Sequence, residues 1–248
     1  WLTDALRGDL GQSIVYKTDV SKVVGSRADV TLELGVFAAL ITTVVGVVLG
    51  AVAALRAGRF LDRVISIVVV VLASISGYVS AIMLLVVFGV QLRWFPILGT
   101  GTGFTDRLYH LVLPAIALSV SLIALVARTT RASVAKTAGA EFVETARARG
   151  LSPRHTFFKH VLRSSLIPIL TVSGLAVGYL ISGAVLVEYA FGLNGLGSLL
   201  VTSVQSKDYA VVQTVTLLFT GIFIVTNLLI DLLYGVIDPR VRLGEGAA

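Results

Sequence analysis

Few residues in this sequence have the chemistry that catalysis or metal binding requires. The chain has 248 residues, of which three are histidine and none is cysteine. His155 and His160 are five residues apart, a spacing that does not place them on one face of a helix, and His110 lies in another part of the chain. The sequence therefore predicts no metal site, and it excludes disulfides and thiolate ligands.

Glycine-rich runs are the next candidates, because glycine loops can hold phosphate groups. The pattern G-x-x-x-x-G-K-[ST] does not occur in the sequence. The runs at 99–103 (GTGTG) and 192–197 (GLNGLG) lack the lysine and are typical of turns. We therefore expect that the chain is not an ATPase and binds no cofactor, and that any energy it uses comes from a partner.

Polar groups inside apolar stretches are candidates by default in a membrane protein. Asn227 and Asp231 are four residues apart in the last such stretch. The alternative is that Asp231 lies near the interface and pairs with Arg240 or a loop residue. Glu188 is expected to lie in water at the end of its stretch. Because no stretch has a central charge or a histidine, an ion-coupled carrier and an intramembrane serine protease are both disfavoured.

The composition shows which solvent surrounds these residues. Hydrophobic residues make up 56% of the chain and charged residues 14%, and the mean hydropathy is +0.94. A chain this apolar must have lipid as its solvent, and apolar runs this long form helices there. The predicted class is all-α membrane, polytopic, without the alternation of a β-barrel. Five stretches are long enough to span a bilayer: Leu34–Leu55, Val64–Val90, Leu111–Ala127, Leu166–Val187 and Val211–Val236.

The positions of lysine and arginine predict the orientation in the membrane. They are concentrated in the loop after the first stretch, in the long loop after the third, and in the C-terminal tail. The positive-inside rule makes these parts cytoplasmic and places residues 1–30 outside. Nothing in the sequence carries residues 1–30 across, so either a signal peptide was removed or a membrane helix precedes Trp1. We favour the helix, which would be the sixth span. The predicted location is the inner or plasma membrane, which the chain crosses several times.

Small residues four positions apart indicate where membrane helices touch, because they permit close approach of two backbones. The sequence has two such pairs, and we predict a helix-packing role for both: Gly46 with Gly50, and Gly174 with Gly178.

The segment 128–165 is the longest basic loop between apolar stretches. A helical section around Glu144 ends at Gly150, which is a natural C′ residue in the left-handed region. Ser152 and Pro153 then form a suitable N-cap and N1 pair for a second helix. The sequence predicts two short amphipathic helices joined at a glycine turn. Such an element either lies on the lipid surface or docks in a groove on a partner, and the fixed turn favours docking.

The run E-T-A-R-A-R-G-L at 144–151 resembles the EAA motif of bacterial ABC-importer permeases, with Thr145 in place of the first alanine. The longer form, which ends H-x-L-R-x-x-L-I-P at Pro168, is similar to the dipeptide, oligopeptide and nickel permease branch. Segments 4–14, 186–209 and 228–240 resemble further segments of that branch. The resemblance covers the whole chain, and its four matches occur in order.

The resemblance implies a type I ABC-importer transmembrane domain, with 1–248 as one permease domain and 128–165 as its cytoplasmic coupling loop. Its implied partners are a second homologous permease, an external binding protein, and two ATPase subunits that hold ATP and magnesium. Peptide is the implied substrate, with nickel, another small cargo or a secondary carrier as alternatives, and no nucleic acid. The residues implied in ATPase coupling are Glu141, Glu144, Thr145, Ala146, Arg147, Gly150 and Leu151.

Overall fold

The computed structural model of the chain describes residue 5 and residues 7–101 and 103–237. The side chains of residues 147, 231 and 233–237 are outside the described part. The helices are α1 (Val20–Leu55), α2 (Phe60–Ser74), α3 (Gly77–Leu84), α4 (Phe104–Ala138), α5 (Glu141–Ala148), α6 (Pro153–Thr156), α7 (Arg163–Ala190), α8 (Leu196–Gln205) and α9 (Tyr209–Ile237). π-Helical segments follow α3 at Leu85–Gln91 and α6 at Phe157–Leu162. The described residues form no strand, only an isolated antiparallel bridge between Gln12 and Asp19.

Within the described residues, four helices are long and apolar enough to cross a membrane: Val20–Leu55, Phe104–Ala138, Pro153–Ala190 and Tyr209–Ile230. A fifth span is obtained when α2 and α3 with its π-helical continuation are taken together. The predicted stretch at 64–90 is therefore not one helix. It breaks at Ile75 and Ser76, whose backbones are extended, with ψ angles of 123° and 144°. The all-α membrane fold is confirmed.

The segment 128–165 differs from the predicted pair of short helices. The third span continues as α4 to Ala138, so the first part of the segment is helical and continuous with it. The second predicted helix does not end before the next span, because Pro153–Ala190 runs through α6, the π-helical segment and α7 over 38 residues. Only α5 is a separate short helix. Val161, Ser165 and Ile169 are buried and lie four residues apart, so one buried helical face continues from the π-helical segment into α7.

The chain divides into two compact units. The first contains the described residues of Trp1–Ala39, Ser76–Ser119 and Gly178–Val225, and the second those of Leu40–Ile75, Val120–Val177 and Thr226–Ala248. In the first unit, a core packs the start of α1 against α8 and α9, with Val20, Leu199 and Val211 fully buried. In the second unit, a core joins α1, α4, α5 and α7, with Val134 and Val143 fully buried.

Candidate functional site

The turn after α5 is fixed by its backbone. Gly150 has a φ of +77°, in the left-handed region, which confirms the predicted C′ position. The N–H of Leu151 donates to the carbonyl of Ala146 at 3.3 Å, the six-to-one bond of a Schellman motif. No neighbouring atom lies within 4 Å of the position that a Cβ would take at Gly150. Backbone conformation, and not lack of space, therefore favours glycine here.

The start of the following helix is also fixed, as the sequence predicted. Ser152 is the N-cap of α6, and its hydroxyl accepts a hydrogen bond from the N–H of His155 at 3.4 Å. Pro153 follows at N1, where its missing N–H costs nothing. Only four residues separate α5 from this second, capped helix, so the exit of α5 has little conformational freedom.

One face of α5 is anchored in the core of the second unit. Val143 is fully buried and Ala146 is 6% exposed. Val143 belongs to one buried cluster with Ala54 of α1, Val134 of α4 and Ile169 of α7. A helix of only eight residues is held in this way by neighbours from three other helices. Ala146 is buried on the same face of α5 as Val143.

The opposite face of α5 carries carboxylates beside exposed apolar groups. Glu141, Glu144 and Thr145 are exposed, and the Thr145 hydroxyl donates to the carbonyl of Glu141 at 3.0 Å. Phe142 is 47% exposed, and Leu151, just after the turn, is 38% exposed. The side chain of Arg147 lies outside the described ones. A rigidly mounted face with a half-exposed aromatic ring is suited to protein docking, and Phe142 is a docking candidate that the sequence did not single out.

The four packing glycines lie where helices approach closely. Within the second unit, a Cβ on Gly46 would come within 2.7 Å of Cβ of Val126, and one on Gly50 within 2.6 Å of Cβ of Thr130. Both neighbours are on α4. On α7, a Cβ at Gly174 would meet the Ile230 side chain at 2.6 Å. In the first unit, one at Gly178 would meet the Phe223 ring at 2.9 Å. These distances support the predicted helix-packing role.

The structure says less about the predicted polar pair of the last span, Asn227 and Asp231. Asn227 is half-buried on α9. The side chain of Asp231 is outside the described part of the chain, as are Arg240 and the rest of the C-terminal tail. The choice between a buried pair and an interfacial Asp231 therefore stays a prediction.

Glu188 is not in water, contrary to the prediction. It is fully buried, and its Oε2 accepts the backbone N–H groups of Gly197 and Ser198 at 2.7 and 3.2 Å. The N–H of Leu196 donates to the hydroxyl of Thr31 at 2.8 Å. The N-cap Gly195 has no side chain, so Thr31 and Glu188 satisfy the first three N–H groups of α8. Because Glu188 and Thr31 lie on other helices, only the apolar surroundings of Glu188 could have signalled this role.

Asp208 connects the start of α9 to the N-terminal segment. Its carboxylate accepts hydrogen bonds from the Ser13 hydroxyl and from the N–H of Val15, the latter at 3.2 Å. Burial acts to raise the pKa of Asp208, but these bonds and N–H donors of Val211 and Ile14 together hold the pKa below its ordinary value. An aspartate directly before an apolar run is a typical N-cap, which is the signal that could have identified it.

Comparison with known proteins agrees with the sequence resemblance. Residues 46–243 match the family described as "Binding-protein-dependent transport system inner membrane component". Over 245 residues the chain is 37% identical to the "Probable peptide ABC transporter permease protein y4tP" of Sinorhizobium fredii, covering 98% of this chain and 78% of that protein. It is 36% identical over 242 residues to the glutathione transport system permease protein GsiC of Escherichia coli K12, with the same coverage.

A solved structure shares the fold. It is described as the MetNI methionine ABC transporter in inward facing conformations, and it aligns with a TM-score of 0.72 at 16% identity. The alignment covers 87% of this chain and 96% of the solved chain. At this level of identity the similarity shows the fold alone.

Proposed function

The chain belongs to the family of binding-protein-dependent transport system inner membrane components, and from this membership we propose that it is the permease subunit of an ATP-driven peptide importer. It forms half of the transport pathway, and it has no ATPase activity of its own. The observation that carries the proposal is α5. This helix is anchored on one face and exposed on the other, and the turn that follows it has a backbone conformation that favours glycine.

The proposed coupling mechanism follows from the two faces of α5. The ATPase subunit docks on the exposed face, where Glu141, Glu144 and Phe142 are available. Val143 and Ala146 on the other face transmit its displacement into the core of the second unit. Gly150 and Leu151 fix the exit of the chain, so that α5 moves with its neighbours and does not swing alone. ATP and magnesium act at the two ATPase subunits.

Peptide is the proposed substrate class because the names of two relatives concern peptides. One is a peptide permease, and the other transports glutathione, which is a tripeptide. Within the first unit, a groove of about 520 Å³ lies between α7 and α9, with Ser182 and Thr220 as the polar residues among Ile181, Val185, Leu186, Phe219 and Phe223. We assign this neutral groove to the pathway. A neutral lining tolerates varied peptides and leaves selection to an external binding protein.

Sidedness and the remaining partners complete the proposal. The positive-inside rule places α5, the turn around Gly58 and the C-terminus in the cytoplasm. The segment before α1 and residues around α8 then face the external binding protein. A second, homologous permease supplies the other half of the pathway, since the helices of one chain are too few to enclose a peptide.

The first experiment purifies the tagged chain from its native membrane in mild detergent and identifies the co-purifying proteins by mass spectrometry. We expect a second permease and ATPases with phosphate-binding loops. Recovery of the chain alone would contradict the proposal and direct attention to a secondary carrier. Captured binding protein is then tested with di- and oligopeptides and with nickel, since nickel binding without peptide binding would replace the substrate class.

The turn at Gly150 provides a second test in the reconstituted transporter. Asparagine adopts the left-handed region far more readily than valine, and the space around Gly150 admits either side chain. Gly150→Asn should therefore retain most of the ATP-driven transport, whereas Gly150→Val should lose most of it. Equal transport by the two variants would show that the turn conformation is not part of coupling.

A further inference from the structure

The second unit contains an ion pair that the proposed mechanism has not used, between a buried carboxylate and the side chain of Arg131, which is 42% exposed. Asp62, in the first turn of α2, has a side chain that is 6% exposed. Its two oxygens accept hydrogen bonds from Nε and Nη2 of Arg131 on α4, at 2.7 and 2.9 Å. Oδ2 also accepts the N–H of Gly58 at 3.0 Å. The carboxylate thus links α2, and the turn that precedes it, to α4.

Stability alone does not account for this pair. Taking a carboxylate out of water is costly, and apolar side chains in its place are often at least as stabilising. Apolar packing already holds α2 against α4, because Val69 of α2 lies in one buried cluster with Ala124 and Ala127 of α4. The bidentate pair also fixes the distance and the orientation between the two side chains, because two parallel hydrogen bonds define both.

The position of Arg131 places this link next to α5. Arg131 lies one helical turn before Val134, the residue of α4 that packs in one cluster with Val143 of α5. Only Gly139 and Ala140 separate the end of α4 from the start of α5. A displacement of α5 therefore acts first on the last two turns of α4, and Arg131 belongs to that stretch.

We propose that Asp62 and Arg131 form a positioning pair that transmits the displacement of α5 to α2, so that ATP hydrolysis at the partner stays coupled to movement of the pathway. The inference rests on the proposed function, because it needs an ATPase docked on α5. The ion pair resists separation of α2 from α4, since separation leaves the Asp62 charge buried without its partner. A displacement of α5 then also displaces α2.

The test uses the complete transporter in proteoliposomes, with both permeases, the ATPases and the binding protein. The variants are Asp62→Asn, Arg131→Gln and the double variant, which leaves no unpaired buried charge. Arg63→Gln is the matched control, because it removes the same charge from an exposed arginine beside Asp62. We expect a decrease of fivefold or more in peptide transported per ATP hydrolysed in all three variants, and no change in the control. The double variant should be no worse than either single one.

A distance measurement separates transmission from simple destabilisation. Since the chain has no cysteine, Phe60→Cys and Lys136→Cys introduce two spin labels at exposed positions of the second unit. With the ion pair intact, the distance between the labels should be the same in the resting and the ATP-trapped transporter. In the double variant the ATP-trapped distance should shift or broaden.

Two results would overturn the inference. One is a double variant that transports as much peptide per ATP as the Arg63→Gln control. The other is a double variant that does not assemble with the ATPases, because this would assign the pair to folding. A wild-type chain that binds no ATPase is a different failure. It would refute the proposed function, and this inference would fall with it.

Discussion

Gly50 is the glycine at which a single methyl group should have the clearest effect. In the second unit it faces α4, where an added Cβ would contact the carbonyl oxygen of Ala127, lie 2.6 Å from Cβ of Thr130 and lie 3.0 Å from the backbone nitrogen of Arg131. Two of these three atoms belong to the backbone of α4 and cannot rotate away. Gly50→Ala therefore requires α1 to move away from α4.

The size of the effect follows from the distances. Ordinary contacts begin at 3.4 Å, so the two helices must separate by about 1 Å, and a gap of about that size removes a quarter to a half of the dispersion attraction of the surrounding contacts. Overpacking of this kind costs about 1–3 kcal/mol. For a chain of this length we expect a decrease of about 2–12 °C in the melting temperature.

Thermal unfolding of the purified transporter in detergent measures this effect, and α1 itself offers the control. Gly35 is on the same helix and has no atom within 4 Å of the position of an added Cβ. Gly35→Ala should therefore leave the melting temperature unchanged or raise it slightly through helix propensity. If both variants melted at the same temperature, the close approach of α1 and α4 at Gly50 would be refuted.

Three further predictions concern the first unit. Glu188→Ala should destabilise the protein by about 2–5 kcal/mol, because two buried N–H groups lose their acceptor. Glu188→Gln keeps an acceptor and should destabilise it less. Equal melting temperatures of the two variants would contradict the capping role. Gly197→Ala should prevent docking of α8, because the added Cβ would lie 2.5 Å from the Cα of Val185. Residues 196–205 should then be cleaved by protease faster in the variant than in wild type. Asp208→Asn should reduce stability above the ordinary pKa of 3.8. The difference from wild type should decrease as the pH falls below 3.8 and vanish only below the folded pKa, which is lower still, because there the carboxyl is protonated in the folded protein as well. A difference independent of pH in unfolding measurements would argue against an ionised Asp208.

Local patterns allowed much of the fold and the turn after α5 to be predicted. The apolar stretches depend on length and composition alone, and a helix end at Gly150 depends on the residues next to it. The N-cap at Ser152 is local in the same sense. The break at Ile75 and Ser76 was missed because the residues on both sides remain apolar, so hydropathy continues across it.

The hydrogen-bond partners of Asp208 and Asp62 are distant in the sequence and could not be predicted. Asp208 is bonded to a serine 195 residues away, and Asp62 to an arginine 69 residues away. Arg59 and Arg63 are nearer to Asp62 in the sequence, but both are exposed. A single sequence does not show which helices become neighbours, so these bonds emerge only with the tertiary structure.

The shortness of α5 has a consequence for how the transporter assembles. A helix of eight residues is too short to be stable in water by itself, because nucleation costs more than so few hydrogen bonds return. Its exposed face therefore exists as an ordered epitope only after α1, α4 and α7 have packed around Val143. An ATPase that recognises this face recognises a correctly folded permease, and a free peptide with the sequence of α5 should be a poor competitor for it.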